Sequence, residues 1–283
     1  MNRVVEAARR WWRGEPAPGA GDTPDARALP GVYGRVHRAD LMIGGTTPEQ
    51  LAVYTRIGNS AYQLIDDALA LTGRRAPAVA RLLDYGCGYG RVLRAIVQHV
   101  PPPHIDVFDV DPAAVRFCSE EFGVTGLAFG RPWDFASIPF QRYDCVWAGS
   151  VFTHLSAEFT REMLTQLCGL LAPGGVLVFT THGEEAIRRA ESGFFEPRVT
   201  ALSGRVRREY EASGFCFAPY EDADFAILPF TFERRAEFGM TWMSEPTIAA
   251  LIDQVGGGAL RLLRFVPAGW EGVQDTVVVQ RAA

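Results

Sequence analysis

The chain has 283 residues and a formal net charge of −5, with 48% apolar and 22% charged residues. That balance fits a globular protein with an ordinary core, and excludes a disordered or collagen-like chain. It also argues against nucleic acid as a partner, since such binders carry a basic balance or a basic face. No apolar run is long enough to span a membrane. The five cysteines (Cys87, Cys118, Cys145, Cys168 and Cys216) are odd in number and scattered. With no C-x-x-C pair among them, they read as reduced thiols in a cytoplasmic protein.

The N-terminal stretch lacks a secretory apolar core. Residues 3–13 have the pattern of a short basic helix carrying Trp11 and Trp12, whose tryptophans are expected to pack on the body of the protein, with a membrane-surface or partner-binding helix as the alternative. Residues 15–30, rich in Pro, Gly, Ala and Asp, read as a linker, so 1–45 form an arm. Helical spacing begins where Thr47 can cap and Pro48 suits the first turn. Two runs follow, one through Leu51, Tyr54 and Ile57, the other from Asn59 to Leu71, with Gly73 as the stop.

Next comes RLLDYGCGYGRV, residues 81–92. A short apolar run ends in Asp84 and Tyr85, glycines then fall at every second position (Gly86, Gly88, Gly90), and a helical pattern runs from Val92 to Val100. This is strand, glycine turn, helix. Glycines permit the tight turn and let a ligand lie against backbone, and N–H groups at the helix start favour polar or anionic atoms. The spacing G-x-G-x-G differs from the dinucleotide G-x-G-x-x-G. The acid at the strand end would repel a pyrophosphate but attract an ammonium. His104 to Val110 predicts a second strand ending in Asp109, 19 residues after Gly90. There a carboxylate can accept both hydroxyls of a ribose. Asp111 and Pro112 open the next helix.

A third strand, Thr125 to Phe129, leads into a loop with Trp133, Asp134 and Phe135. Tyr143 to Ala148 predicts a buried fourth strand ended by Gly149 and Ser150. Ser156 starts a helix with an apolar stripe, and after APGG comes a fifth strand, Val176 to Thr180. Repeated β-α units predict a parallel sheet with helices on both faces. Residues 183–243 break the rhythm with charges, aromatics and a strand-like DFAILPFTFE, and read as an insertion over the site. A helix capped by Ser244 and two strands, Leu260 to Val266 and Asp275 to Gln280, close the chain.

The motif at 81–92 resembles the first motif of class I S-adenosylmethionine-dependent methyltransferases, approximately L-D-x-G-C-G-x-G. The resemblance covers residues 80–182 well and 244–283 in pattern. It implies an α/β fold with a doubly wound, mostly parallel seven-stranded sheet. N-terminal helices and a lid insertion would precede the C-terminal strands. The core would be 46–182 with 244–283, and 183–243 the lid. It implies S-adenosylmethionine as cofactor and S-adenosylhomocysteine as product, held by Asp84, Tyr85, Gly86, Gly88, Gly90, Asp109 and Val110. Trp133, Asp134 and Phe135 would lie at the adenine, and Ser150 near the transferable methyl. Tyr33, Tyr54 and Arg56 are candidates for covering the site, with packing as the other role open to them.

Methyl transfer to oxygen benefits from a base. His154, after the fourth strand, and His182, after the fifth, are the candidates. No Asp/Asn-Pro-Pro-aromatic tetrapeptide follows the fourth strand, no Pro-Cys pair exists, and no His/Cys/Asp cluster has metal-ligand spacing. What remains is a small-molecule methyltransferase. Trp270, Gln274 and Asp275 resemble a C-terminal W…QD strand of bacterial methyltransferases, several of which accompany sugar or natural-product pathways, and this suggests an oxygen acceptor. Three alternatives stay open: a nicotinamide-dependent oxidoreductase, disfavoured by glycine spacing and the lack of a Tyr-x-x-x-Lys pair; a non-catalytic binding or scaffold protein; and a protein methyltransferase.

Overall fold

The computed structural model describes residues 26–127, 135, 138, 140–195, 197–226 and 234–283. A small antiparallel ribbon, β1 (Ala26–Ala28) with β2 (Arg35–His37), precedes helix α1 (Pro48–Ala70). Thr47 and Gln50 cap α1 reciprocally, which satisfies two N–H groups that would otherwise be orphaned at its start. The two helical runs expected from the sequence are one continuous helix. Gly58 is not a break but a point of contact, because a Cβ there would come within 2.4 Å of the Arg91 carbonyl oxygen.

The alternation then begins: β3 (Leu82–Tyr85), α2 (Leu93–Ile96), β4 (Ile105–Phe108), α3 (Pro112–Phe122), β5 (Thr125–Gly126), β6 (Tyr143–Ala148), α4 (Ala157–Leu170) and β7 (Leu171–His182). Helix α2 is shorter than its apolar spacing suggests, although the bonds from Val97 N–H to Leu93 and from Val100 N–H to Ile96 carry its turns on. The segment 172–175 lies inside β7 as an irregularity: Tyr143 faces Leu171, and regular pairing resumes at Cys145 with Val176.

Beyond β7 lie α5 (Glu184–Glu191), α6 (Pro197–Ser213), β8 (Phe215–Pro219), α7 (Asp222–Ala226), β9 (Gly239–Met243), α8 (Glu245–Gly256), β10 (Leu260–Trp270) and β11 (Gln274–Arg281). The start of the strand-like DFAILPFTFE is helical, in α7. The rest of that stretch, like Trp11, Trp12, Trp133 and Asp134, falls outside the described residues.

Seven strands run in the order β10-β11-β7-β6-β3-β4-β5. The pairs from β5 to β7 are parallel, and β11 is antiparallel to both β7 and β10. Strands β8 and β9 form a hairpin that joins the sheet where Trp242 pairs with His182. The sheet is buried on both faces. Leu82, Cys145, Trp147, Val176 and Val178 face the core under α1, α2 and α3. Their neighbours Leu83, Val146, Ala148, Leu177 and Phe179 face the core under α4 and α8. Two-sided burial is why these strands read as continuous apolar runs, and each buried Val or Leu is worth roughly 1.5–3 kcal/mol. A third, smaller core, with Ile187, Val206, Met240 and Trp242, belongs to the 184–243 segment. Among the described residues no helix is long and apolar enough to cross a membrane.

Candidate active site

The glycine turn sits where β3 ends, near the middle of the sheet. Gly86, Gly88 and Gly90 have φ of +81°, +50° and +86°, the left-handed region that side chains resist. At Gly88 no atom lies within 4 Å of where a Cβ would stand. Its open side leaves room for a ligand against bare backbone. The turn is tied to β4, because the N–H groups of Gly86 and Cys87 both donate to the Phe108 carbonyl, at 2.8 and 3.0 Å.

Asp109 follows β4. Its Oδ2 accepts from Gly88 N–H at 2.8 Å and its Oδ1 from Asp111 N–H at 2.9 Å. Each oxygen keeps a second lone pair for a ligand hydroxyl. Asp111 caps α3 through Ala113 N–H and also accepts from the Tyr89 hydroxyl at 2.8 Å. Tyr89 in turn stacks on His37, which places the end of β2 over the turn.

Asp84 is buried, and its Oδ2 has no hydrogen-bond partner among the described residues. Burial, and secondarily the charge of Asp109, push its carboxyl up to about 7. Burial likewise pushes Asp109 up to about 6, against the pull of its backbone donors. A buried acid, Asp84, and a half-buried one, Asp109, therefore stand at the glycine turn, with no cation paired to Asp84 among the described residues. Such an arrangement is costly by itself and suits a ligand that brings a positive charge.

Other expected residues sort differently. The Tyr85 ring is buried, stacked 4.9 Å from Phe108 and 5.7 Å from Phe135. Only its backbone remains for a ligand, and Phe135 is the wall behind it. Val110 packs against the same core. Tyr54 is a packing residue, its hydroxyl donating to Asp40 at 2.5 Å, whereas Tyr33 is exposed and Arg56 pairs with Glu271.

Ser150, at φ +58°, turns the chain out of β6. Its N–H donates to Thr180 Oγ1 at 2.7 Å, and Gln274 Nε2 donates to its hydroxyl at 2.9 Å. Thr180 donates to Gln274 Oε1 at 2.5 Å. Strands β6, β7 and β11 are thus joined at one point.

His182 is buried and His154 half-buried. His182 pairs across to Trp242, and its Nδ1 has no hydrogen-bond partner among the described residues. Burial, with a smaller contribution from His154, pushes it down to about 3, against a backbone hydrogen bond with Thr241. His154 is pushed down to about 4 by burial, partly offset by the Gly239 carbonyl 3.2 Å from its Nδ1. The Tyr220 hydroxyl lies 2.6 Å from the same nitrogen. At neutral pH both rings are uncharged.

Two residues escaped the sequence reading. Tyr220 was one of a group of aromatics, with no local signal of its partner. Arg91 directly follows the last motif glycine. Its guanidinium lies 5.7 Å from the centre of the Trp270 ring, and it makes no hydrogen bond or ion pair among the described residues. Burial pushes its pKa down. Its place next to the turn was the available signal.

Comparison with known proteins agrees with this geometry. A family described as "Methyltransferase domain" matches residues 83–177. A malonyl-[acyl-carrier protein] O-methyltransferase of Methylococcus capsulatus is 25% identical over 197 residues, covering 63% of this chain and 70% of that protein. A trans-aconitate 2-methyltransferase of Methylobacterium radiotolerans is 32% identical over 126 residues, 44% of this chain and 46% of that one. In fold, the chain is similar to an amino pentose methyltransferase of calicheamicin biosynthesis from Micromonospora echinaspora. The TM-score is 0.50 at 17% identity, covering 83% of this chain and 97% of that chain. The chain contains a class I methyltransferase domain, matched over residues 83–177. More particularly, it is an enzyme of the S-adenosylmethionine-dependent group, with that compound as its cofactor.

Proposed function

We propose that the protein transfers a methyl group to an oxygen of a small molecule of natural-product or sugar type. The observation that carries the cofactor side is the unpartnered, buried Asp84 Oδ2 next to Asp109, over the glycine turn. S-adenosylmethionine supplies, when bound, a methyl group on a positively charged sulfur that needs no further activation.

The chain's residues have four tasks. Asp84 holds the ammonium of the amino-acid tail. Arg91, a cation beside the turn with no carboxylate paired to it among the described residues, suits the tail's carboxylate. Asp109 takes the ribose hydroxyls while its other lone pairs keep Gly88 and Asp111 in place. Phe135, and in the sequence Trp133 and Asp134, suit the adenine. On the acceptor side, Ser150 and the segment 151–156 leave β6 next to the end of β7, where neutral His154 and His182 can take a proton. The segment 183–243 caps this end as a lid on a core formed by 46–182 and 244–283. A relative named as an O-methyltransferase supports oxygen as the acceptor atom.

Calorimetry with S-adenosylmethionine, S-adenosylhomocysteine and NADH tests the cofactor, with Asp109→Ala alongside. Micromolar binding of the first two, lost in the variant, is expected. A screen of sugars, phenols and carboxylic acids for methyl transfer tests the acceptor. Binding without turnover across the screen would favour a non-catalytic scaffold, and binding of neither sulfur compound would overturn the reading.

A further inference from the structure

Loop 151–156 is fastened to the 184–243 segment along its length. Thr241 N–H donates to the Thr153 carbonyl, Gly239 N–H to that of His154, and Ser156 N–H to that of Glu237, at 2.9, 3.0 and 2.9 Å. The Thr241 hydroxyl donates to the Leu155 carbonyl at 2.5 Å. His154 is therefore held by β9 through its backbone, and its ring is held from the same side. Around its Nδ1 stand the Gly239 carbonyl at 3.2 Å and the Tyr220 hydroxyl at 2.6 Å. The Tyr220 hydroxyl also reaches Met240 Sδ at 3.7 Å.

The directions of these bonds follow from what each atom can do. A carbonyl oxygen only accepts, so Gly239 requires a proton on Nδ1. A thioether sulfur also only accepts, so the assignment that makes all three contacts hydrogen bonds has Tyr220 giving its proton to Met240 and the single Nδ1–H shared between the Gly239 and Tyr220 oxygens. The chain of donors runs one way, from His154 through Tyr220 to Met240. A neutral ring protonated at Nδ1 has its lone pair at Nε2, and Nε2 has no hydrogen-bond partner among the described residues.

We propose that Tyr220 is a positioning residue: with the Gly239 carbonyl it fixes His154 as the Nδ1–H tautomer, so that Nε2 is the base for the acceptor hydroxyl. This rests on the oxygen-acceptor reading above. In the step it serves, the acceptor O–H bond breaks and its proton goes to Nε2. The electron pair left on oxygen forms the bond to the methyl carbon, and the pair of the broken carbon–sulfur bond stays on sulfur. The positive charge arising on the ring faces two oxygens, those of Gly239 and Tyr220, which lower its cost. His182, the other ring within electrostatic reach, stays neutral and so does not oppose that charge. The residue that sets the tautomer belongs to the insertion, not to the methyltransferase core.

Long-range proton–nitrogen NMR of the full chain labelled with 15N-histidine reads the tautomer directly, without cofactor or acceptor. The chain has five histidines, and loss of one set of signals in His154→Gln assigns the ring. In the unsubstituted protein at neutral pH, His154 is expected to show a protonated Nδ1 and an unprotonated Nε2. In Tyr220→Phe, with melting temperature checked, the same signals should move toward a mixture of tautomers. A His154 protonated at Nε2 in the unsubstituted protein would overturn the proposal, as would signals identical in a folded Tyr220→Phe. If that variant fails to fold, the first result decides alone. Failure of the oxygen-acceptor reading shows elsewhere, as no methylated product in the screen while the tautomer remains as described.

Discussion

The Asp109 carboxylate accepts the backbone N–H of Gly88 at 2.8 Å. The acid after β4 thus grips the middle glycine of the turn after β3, so the ribose-binding role proposed for Asp109 and the geometry of the turn share one side chain.

Asp109→Asn separates these two roles in part. The amide keeps one acceptor oxygen for Gly88 or Asp111, but not both, and it loses the charge that strengthens bonds to ribose hydroxyls. Bonds to charged groups are worth about 1.5–3 kcal/mol, so S-adenosylhomocysteine should bind about 10- to 100-fold more weakly, and the melting temperature should also fall because one of the two backbone N–H groups loses its acceptor. Titration calorimetry and a melt measured together would check this. Unchanged affinity would remove Asp109 from the site.

Asp84 should make cofactor binding depend on pH. Its carboxyl stands at about 7 in the free protein, because burial and then Asp109 disfavour its charge. The folded, unliganded protein thus holds a proton that an unfolded chain releases near its ordinary carboxyl value. The stability due to that proton is fully present below the unfolded pKa and is lost as pH rises through about 7. An ammonium partner favours the ionised form, so affinity should rise as pH rises through the same range, with proton release on binding. Calorimetry in two buffers of different ionisation enthalpy measures that release. In Asp84→Asn the release from this group should vanish, affinity should fall, and the unliganded protein should be more stable at pH 8. A pH-independent affinity in the parent protein would show that Asp84 does not change charge on binding.

Much of this was readable before the structure, for local reasons. A strand, three alternating glycines and a helix start lie within residues 82–93, and two-sided burial writes itself as unbroken apolar runs. The spacing from Gly90 to Asp109 is set by one helix and one strand. What escaped depends on distant parts meeting. Tyr220 reaches His154 across 66 positions, carried by a hairpin whose second strand, Gly239–Met243, was hidden at the end of the insertion. Gly58 falls between the two helical runs read from the sequence, and a glycine within a helix usually weakens it. It is there instead for the Arg91 backbone. The alternation in DFAILPFTFE suggested a strand, yet its first residues complete a helix opened by Asp222.

Gly58→Ala runs against helix propensity. Alanine in an exposed helix would gain about 1 kcal/mol over glycine, but here the new Cβ would stand 2.4 Å from the Arg91 carbonyl oxygen. Backbone on both sides leaves little room to yield, and overpacking costs typically about 1–3 kcal/mol. The melting temperature should fall. Because Arg91 adjoins the glycine turn, affinity for S-adenosylhomocysteine should fall too. A higher melting temperature would mean that α1 can move off the turn without loss.

Gln274→Leu tests the junction at Ser150. The Gln274 amide donates to Ser150 Oγ and accepts from Thr180 Oγ1, and Thr180 in turn receives Ser150 N–H. Leucine nearly matches the volume but offers neither function, leaving a buried hydroxyl unpaired at about 1–3 kcal/mol. Gln274→Glu restores the acceptor for Thr180 while, as a carboxylate, losing the donor to Ser150. If the junction positions the β6 turn, the leucine variant should lose stability and methyl transfer together. The glutamate variant should recover more of the stability than of the activity. Melting curves and turnover of the acceptor found by screening would separate the two effects. Full activity in a destabilised leucine variant would show that Gln274 supports the sheet without shaping the site.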